Sequence, residues 1–157
     1  NKWVNNGQVV ATANEIFNDI QSIWIALVNQ ANGLIDAKAK VKLCMSPGIA
    51  IAMTATNSFG VNVRALLKEN FPNIQEMVAV QYGAQTASNP QGIPAGNLVQ
   101  MIVDSVEGQE TGYCAFTEKM RAHKIIQGAS SWRQKQTGGT WGAIIRQPFG
   151  IASMLGV

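Results

Sequence analysis

Residues 12–31, TANEIFNDIQSIWIALVNQA, are the stretch from which the fold is inferred. Their apolar side chains recur at intervals of three and four residues, which places them on one stripe of an α-helix. Thr12 followed by Glu15 is a capping-box pattern, and Gly33 suits the left-handed turn that ends a helix. The sequence therefore predicts an amphipathic helix of about 30 Å over residues 12–31. The stripe consists of Ile16, Phe17, Ile20, Ile23, Trp24, Leu27, Val28 and Ala31.

The composition is that of a folded chain with few charges. The chain has 157 residues, enough for one core, and only 13% of them are charged. A surface with so few charges favours contact with other protein surfaces. We find no membrane-spanning segment and no leader peptide, so we expect a soluble, unsecreted protein. Because the chain starts at Asn1 without a methionine, we also expect further residues upstream.

The charge is distributed unevenly along the chain. A net charge of +3 is too small to indicate a nucleic-acid partner by itself. After Glu118, however, there is no acidic residue, whereas six basic residues follow. Two interpretations stay open: a solvated or salt-bridging face between subunits, and contact with nucleic acid. The six basic residues are Lys119, Arg121, Lys124, Arg133, Lys135 and Arg146.

Two strands and, between them, two short helices are predicted after the first helix. Alternating apolar residues and lysines predict a strand over residues 34–45. Ser46 and Pro47 form a helix start, which predicts a short helix to about Ala55. A further helix is predicted from Asn62 to the Phe71–Pro72 pair, because proline disfavours helical geometry in the residue before it. Residues 74–82 are predicted to form a strand that is covered on both faces.

The remaining residues favour strands and loops. Residues 83–97 are rich in glycine and proline and predict a long irregular loop. Residues 98–106 are interpreted as a buried strand rather than a helix, because β-branched residues are frequent. Strands are also predicted at 113–117, 131–137 and 141–146, with Gly138–Gly139 as a two-residue hairpin turn between the last two. Helices early and strands late indicate an α+β fold.

Catalytic and metal-binding patterns are not recognisable. His123 is the single histidine, and without a nucleophile elbow its interpretation as a catalytic base is weak. Cys44 and Cys114 lie far apart in apolar runs and are interpreted as free buried thiols, with a disulfide between them as the open alternative. One histidine and two separated cysteines do not make a zinc site of known spacing. We predict no catalytic residue, no cofactor and no metal, and therefore no enzyme.

The chain is rich in tryptophan, a residue that is enriched where protein surfaces meet. Trp24 and Trp141 are equally compatible with the core and with a surface. Trp3 and Trp132 are more readily explained as surface residues. Tryptophan content therefore favours a protein that binds other proteins over one that transforms a ligand.

Several phrases of the sequence resemble the major capsid proteins of tailed bacteriophages and prophages with the Hong Kong 97-type fold. The phrases are Met45-Ser46-Pro47, LLKENFP at 66–72, TGG at 137–139, IIRQP at 144–148 and Ile151-Ala152. The resemblance covers the chain from about residue 10 to its end. It implies an α+β subunit with a long spine helix, an axial domain with a central mixed sheet flanked by helices, and a peripheral domain.

The resemblance also implies how the chain is divided. Residues 1–38 would belong to the peripheral domain, with the spine helix at about 12–31, and residues 39–112 would form the axial domain. Residues 113–137 would return to the peripheral domain, and residues 138–157 would rejoin the axial domain as terminal strands. Such proteins carry an N-terminal arm and an extended loop ahead of the spine helix, so the chain is expected to be a fragment that lacks both.

The implied function is that of a structural shell protein. It would assemble with itself into pentamers and hexamers and then into an icosahedral head that encloses phage double-stranded DNA by non-specific contact. It would act in the virion after assembly in the bacterial cytoplasm, with no membrane and no small-molecule substrate. The alternatives are a cellular nanocompartment shell and a nucleic-acid-binding module that uses the basic last quarter. The suggested subunit-contact residues are Trp24, Trp132, Arg133, Lys135, Asn89, Pro90 and Gly92.

Overall fold

The computed structural model describes residues 2–36 and 38–157. The chain forms two compact units, one made of residues up to Thr111 together with Gln147–Val157, the other of Gly112–Arg146. We call them the body and the ribbon. The helices are α1 (Ala13–Gln30), α2 (Pro47–Ala52) and α3 (Val63–Asn70). The strands are β1 (Val4–Asn5), β2 (Gln8–Val9), β3 (Val41–Met45), β4 (Ile74–Val78), β5 (Leu98–Val103), β6 (Ser105–Val106), β7 (Gln109–Glu110), β8 (Gly112–Ala122), β9 (Ile126–Gln127), β10 (Trp132–Arg133), β11 (Gln136–Ile145) and β12 (Ile151–Leu155).

Helix α1 confirms the prediction for residues 12–31, including both of its ends. Thr12 Oγ1 accepts a hydrogen bond from the Glu15 N–H, and the Glu15 carboxylate accepts from the Thr12 N–H at 2.8 Å. Gly33 has a φ of +80°, as the left-handed turn requires. The predicted stripe faces the core, and six residues of α1 are buried: Ala13, Ile16, Ile20, Ile23, Trp24 and Leu27.

A four-stranded mixed sheet forms the centre of the body, in the order β12-β5-β3-β4. Strand β3 is parallel to β4 and antiparallel to β5. The strand predicted for residues 34–45 begins only at Val41, and Ala37 within that range lies outside the described residues. The predicted covering of both faces of residues 74–82 is wrong, because β4 is an edge strand that leaves Met77 and Val78 exposed. The prediction failed because consecutive apolar residues also occur in an edge strand, where part of the strand stays exposed to solvent.

The two short helices begin as predicted. The Ser46 hydroxyl accepts from the Ile49 N–H at the start of α2, and Asn62 caps α3 in the same way. Helix α2 ends at Ala52 and is shorter than predicted, and α3 ends ahead of Phe71. The Phe71 ring stacks on Trp24 of α1 with 4.9 Å between the ring centroids, so this helix end closes one side of the core.

The first residues of the chain form a small hairpin that the sequence analysis missed. Strands β1 and β2 pair across Asn6 and Gly7, which both have positive φ. Trp3, predicted to lie at the surface, is fully buried, so that prediction is wrong. Its Nε1–H donates to the Asp19 carboxylate at 2.8 Å, and this bond fixes the hairpin to α1.

The ribbon consists of β8 and β11, paired antiparallel over their whole lengths, with β9 and β10 paired between them. The predicted hairpin turn at Gly138–Gly139 is wrong, because both glycines lie inside β11 and neither has the positive φ of a type I′ turn. Gly139 allows a close approach of the strands, because a Cβ at this position would collide with the Thr117 hydroxyl of the facing strand. The pairing shifts register along this part of β11.

Candidate subunit-contact surfaces

The ribbon has no core of its own. None of its residues, all of which the structure describes, is buried. Trp132 is 70% exposed, as predicted for a surface residue. Trp141, whose position the sequence left open, is 74% exposed and therefore also lies at the surface. Arg133 on β10 and Lys135 are exposed as well. The large exposed apolar side chains of the ribbon are Phe116, Met120, Ile125, Ile126, Trp132, Trp141 and Ile145.

The ribbon is also strongly basic. It holds six basic residues and one acidic residue, a net charge of +5, whereas the body holds six basic and eight acidic residues, a net charge of −2. Arg146 stacks over the Tyr113 ring at 4.6 Å, a cation–π contact between β8 and the residue that follows β11. The ribbon therefore exposes both apolar and cationic side chains to solvent.

The glycine-rich loop at residues 83–97 is irregular, as predicted, but it is held by its own hydrogen bonds. Asn89 Nδ2 donates to the carbonyl oxygens of Val80 at 2.9 Å and Ala84 at 3.2 Å. Gly92 is buried, and a Cβ there would lie 2.6 Å from the Ala84 oxygen. Asn89 and Gly92 thus shape the loop from within, and Pro90 is exposed on it.

The loop is also uncharged. No aspartate, glutamate, lysine, arginine or histidine occurs from residue 77 to residue 103. Identical residues meet where copies of a chain surround a rotation axis, so a charged tip there would face its own charge. A loop without charged side chains, held by its own hydrogen bonds, avoids this repulsion between like charges.

Trp24 differs from the other suggested contact residues. It is only 5% exposed, and it packs in the core against Phe71, so the structure does not bring it to the surface with the ribbon residues. Trp24 nevertheless lines a groove of about 380 Å³ beside the C-terminal half of α1, which we call the α1 groove. The lining residues are Trp24, Ile25, Val28, Asn29, Ile35 and Asp36.

The sequence analysis missed the α1 groove. Its signal is Ile25, an apolar residue that falls off the predicted stripe and is 59% exposed. The neighbouring Leu34 is exposed as well. An apolar residue on the polar side of an amphipathic helix is therefore the feature that points to a second apolar surface.

The titratable side chains of the described residues lie at several separate places in the structure. His123 Nε2 lies 3.0 Å from the Thr137 hydroxyl in the ribbon. Cys44 is free and buried, as predicted, and burial raises the pKa of its thiol. Cys114 is free but exposed, because it lies on the ribbon, which has no core; the prediction that Cys114 is buried is wrong. Burial also raises the pKa of Tyr82 to about 12. Within residues 2–36 and 38–157, no three His, Cys, Asp or Glu side chains are grouped as a metal site would need.

The charged groups of the body are partly paired. The Lys42 ammonium lies 2.8 Å from the Asp104 carboxylate, and that hydrogen bond raises the pKa of Lys42. Arg64 binds the Glu76 carboxylate at 3.0 Å.

In the described part of the chain, no helix has the length and apolarity that crossing a membrane demands.

Several solved structures share the fold of this chain. The capsid of the Myoviridae phage XM1 has a TM-score of 0.71 and 11% identity, over 94% of this chain and 47% of that one. The structure of Mycobacterium phage Che8 has a TM-score of 0.56 and 10% identity, over 98% of this chain and 53% of that one. A virus-like particle from Pyrococcus furiosus has a TM-score of 0.56 and 12% identity, over 96% of this chain and 57% of that one. The chain spans about half the length of these proteins, and its fold is the Hong Kong 97-type capsid fold predicted above.

The family follows from a direct match. The chain belongs to the family of the Pa193 gp26 major capsid protein, whose family model matches residues 1–156. It is thus a phage capsid protein of a structural family, which confirms the resemblance drawn from the sequence. No curated protein is detectably similar to the chain in sequence.

Proposed function

We propose that the protein is the shell subunit of a phage head: it assembles with copies of itself into pentamers and hexamers, and these close into an icosahedral shell around double-stranded DNA. The match of residues 1–156 to a major capsid protein family carries this proposal. In this role the protein resides in the virion, after assembly in the host bacterial cytoplasm. It transforms no substrate and requires no cofactor.

The domain assignment implied by the resemblance is part of this proposal. Helix α1, in the proposed peripheral domain, clusters with the central sheet in the body. Residues 138–146, proposed as part of the terminal axial strands, pair with β8 in the ribbon, and only Gln147–Val157 cluster with the body. The names peripheral and axial therefore describe the roles we propose within a capsomer, and the compact units describe the single chain.

Two surfaces support self-association. The uncharged loop at residues 83–97 suits the centre of a ring of identical subunits, with Asn89 and Gly92 holding its shape and Pro90 at the contact. The ribbon presents Trp132, Arg133 and Lys135 together with exposed apolar side chains. Two-stranded ribbons are marginally stable in water by themselves, so this one needs a partner surface.

Sedimentation velocity of the complete gene product tests the proposal. Over a series of protein concentrations we expect capsomer-sized species and then much faster-sedimenting shells, before and after nuclease treatment. Double-stranded DNA that copurifies with the shells should resist nuclease until the shells are opened by denaturant. A single monomeric boundary at every concentration would count against the proposal.

The virus-like particle from Pyrococcus furiosus keeps a cellular compartment shell as an alternative within the same fold. The two differ in cargo. Shells that contain DNA support a phage head, whereas shells that contain a defined protein and no nucleic acid support the compartment.

A nucleic-acid-binding module remains the second candidate function, because the ribbon has a net charge of +5. Binding through phosphate contacts falls steeply with salt, since each neutralised phosphate releases counterions. If this is the function, Arg133→Ala with Lys135→Ala should lower the affinity for DNA and the steepness of its salt dependence while the protein stays monomeric. Shell formation with unaltered DNA content in that variant would argue for the capsid role instead.

A further inference from the structure

We propose that Asn6–Gly7 is a site of spontaneous deamidation, in which the asparagine becomes aspartate or isoaspartate, and that the isoaspartate product releases the hairpin of β1 and β2 from α1. The co-reactant is water. The inference does not depend on the proposed shell function. It rests on a comparison of the two Asn–Gly pairs in the sequence, Asn6–Gly7 and Asn32–Gly33.

The two pairs have nearly the same local conformation. Asn6 and Asn32 both have a φ of +49°, and the glycines that follow them have φ values of +77° and +80°. All four residues are exposed, and a Cβ at either glycine would meet no atom within 4 Å. Backbone angles, exposure and the space around the glycine therefore do not distinguish the two pairs.

The pairs differ in the hydrogen bonding of the glycine N–H. Gly33 lies just beyond α1, and its N–H donates to the Val28 carbonyl oxygen at 3.3 Å. The N–H groups of its two neighbours, Asn32 and Leu34, also donate to carbonyl oxygens at the end of the helix, at 3.2 Å and 3.0 Å. Three consecutive N–H groups are thus engaged, as in the closing turn of a helix.

Gly7 lies instead in the two-residue turn of the hairpin, next to the strand pair Asn5 and Gln8. Within residues 2–36 and 38–157, no backbone carbonyl oxygen accepts from the Gly7 N–H. The nitrogen of Gly7 is therefore available to react with the side chain of Asn6, whereas the nitrogen of Gly33 is held by the helix end.

The reaction uses the glycine nitrogen as the nucleophile. A base from the solvent takes the proton of the Gly7 N–H, and the nitrogen attacks Cγ of Asn6, so that an N–Cγ bond forms. The bond from Cγ to Nδ2 then breaks, and the side-chain nitrogen leaves as ammonia with a proton from the solvent, which closes a five-membered succinimide ring. Water adds to either ring carbonyl and opens the ring, so one water is consumed for each ammonia released. Glycine suits this step because no side chain shields its nitrogen.

The direction in which the ring opens decides the effect on the hairpin. Aspartate keeps the backbone and tolerates a positive φ, whereas isoaspartate adds one atom to the main chain of the turn. Turn type and length fix the register of a hairpin, so the pairing of Asn5 with Gln8 no longer fits. The hairpin carries Trp3, whose Nε1–H donates to Asp19, so the loss of register weakens its contact with α1.

The experiment ages the complete gene product in mildly alkaline buffer and follows both asparagines by peptide mapping with mass spectrometry. The sequence has no lysine or arginine between residues 3 and 37, so trypsin leaves both sites in one peptide. A second protease that cleaves after glutamate separates them at Glu15. Protein unfolded in urea is the reference, because both pairs lose their structure there. Asn6→Gly blocks the reaction with a residue that accepts a positive φ, and Asn32→Gly is the matched control.

In the folded protein, Asn6 should deamidate about tenfold faster than Asn32, because the hydrogen bond of the Gly33 N–H must first open. In urea the two rates should be similar. After ageing, hydrogen exchange in residues 3–10 should be faster in wild type and in Asn32→Gly, and unchanged in Asn6→Gly.

Two results would overturn the assignment of the site: equal rates at the two asparagines in the folded protein, and a folded Asn6 that stays unmodified under conditions in which it reacts in urea. Unchanged hydrogen exchange in protein that contains isoaspartate at position 6 would overturn the release of the hairpin. Each of these results is independent of whether the protein forms shells.

Discussion

Replacement of Trp3 by phenylalanine should lower the free energy of unfolding by about 2–3 kcal/mol. The indole of Trp3 is fully buried, and its Nε1–H donates to the half-buried Asp19 carboxylate at 2.8 Å. A hydrogen bond to a charged group contributes about 1.5–3 kcal/mol, and we take the lower end because water can reach Asp19 once the indole is gone. The smaller ring leaves unfilled volume, which adds about 1 kcal/mol. Trp3→Ala removes the whole ring and should cost about 3–5 kcal/mol.

The assay is urea unfolding followed by circular dichroism at the helix band, because a substitution of tryptophan alters the fluorescence signal itself. The matched experiment repeats Trp3→Phe in an Asp19→Ala background. There the hydrogen bond is already absent, so the same substitution should cost only about 1 kcal/mol. Equal costs in the two backgrounds would refute the claim that this hydrogen bond fixes the N-terminal hairpin to α1.

Three further predictions concern the cap of α1, the loop and the cysteines. Thr12→Ala should lower the free energy of unfolding by about 1 kcal/mol in urea unfolding. The hydrogen bond from the Thr12 N–H holds the pKa of Glu15 below its ordinary 4.5, so the stability that the Glu15 carboxylate contributes is present at neutral pH and is lost as the pH falls through the lowered pKa. The free energies of unfolding of Glu15→Gln and wild type should therefore converge in acid. Asn89→Ala removes two hydrogen bonds and should speed hydrogen exchange in residues 83–97 about tenfold, with the rates in α1 unchanged. A thiol reagent should label Cys114 at once and Cys44 only on unfolding, so Cys114→Ser should abolish the fast phase.

The sequence predicts an element well where local chemistry and burial agree. Helix α1 has a cap, a stripe and a terminal glycine, and all three signals point to the same boundaries. The capped starts of α2 and α3 are predictable for the same reason. The hairpin of β1 and β2 was predictable as well, because Asn6–Gly7 is a strong two-residue turn signal that the sequence analysis overlooked.

The wrong predictions concern residues whose environment is set by tertiary contacts with distant parts of the chain. Gly138–Gly139 has the composition of a turn, but both glycines lie inside β11, and Gly139 closely approaches Thr117 of the facing strand. Only the pairing of β8 with β11 reveals this contact. Trp3 is buried because α1 offers both a core position and an acceptor in Asp19. Neither partner is adjacent in sequence, so composition cannot indicate them.

The candidate contact surfaces were predictable in part. The basic last quarter and Trp132 pointed to the ribbon, since charge is visible in the sequence. The role of Asn89 and Gly92 inside the loop was not visible, because it depends on contacts with Val80 and Ala84. The α1 groove needed the structure, although Ile25 marks it.

Cryo-electron microscopy of the complete gene product images the assembly itself and so gives the decisive test of shell formation. We expect closed icosahedral shells in which every subunit contains the four-stranded sheet of β12, β5, β3 and β4, with a neighbouring subunit in contact with the ribbon. A homogeneous population of single subunits, with the ribbon exposed in all of them, would contradict it.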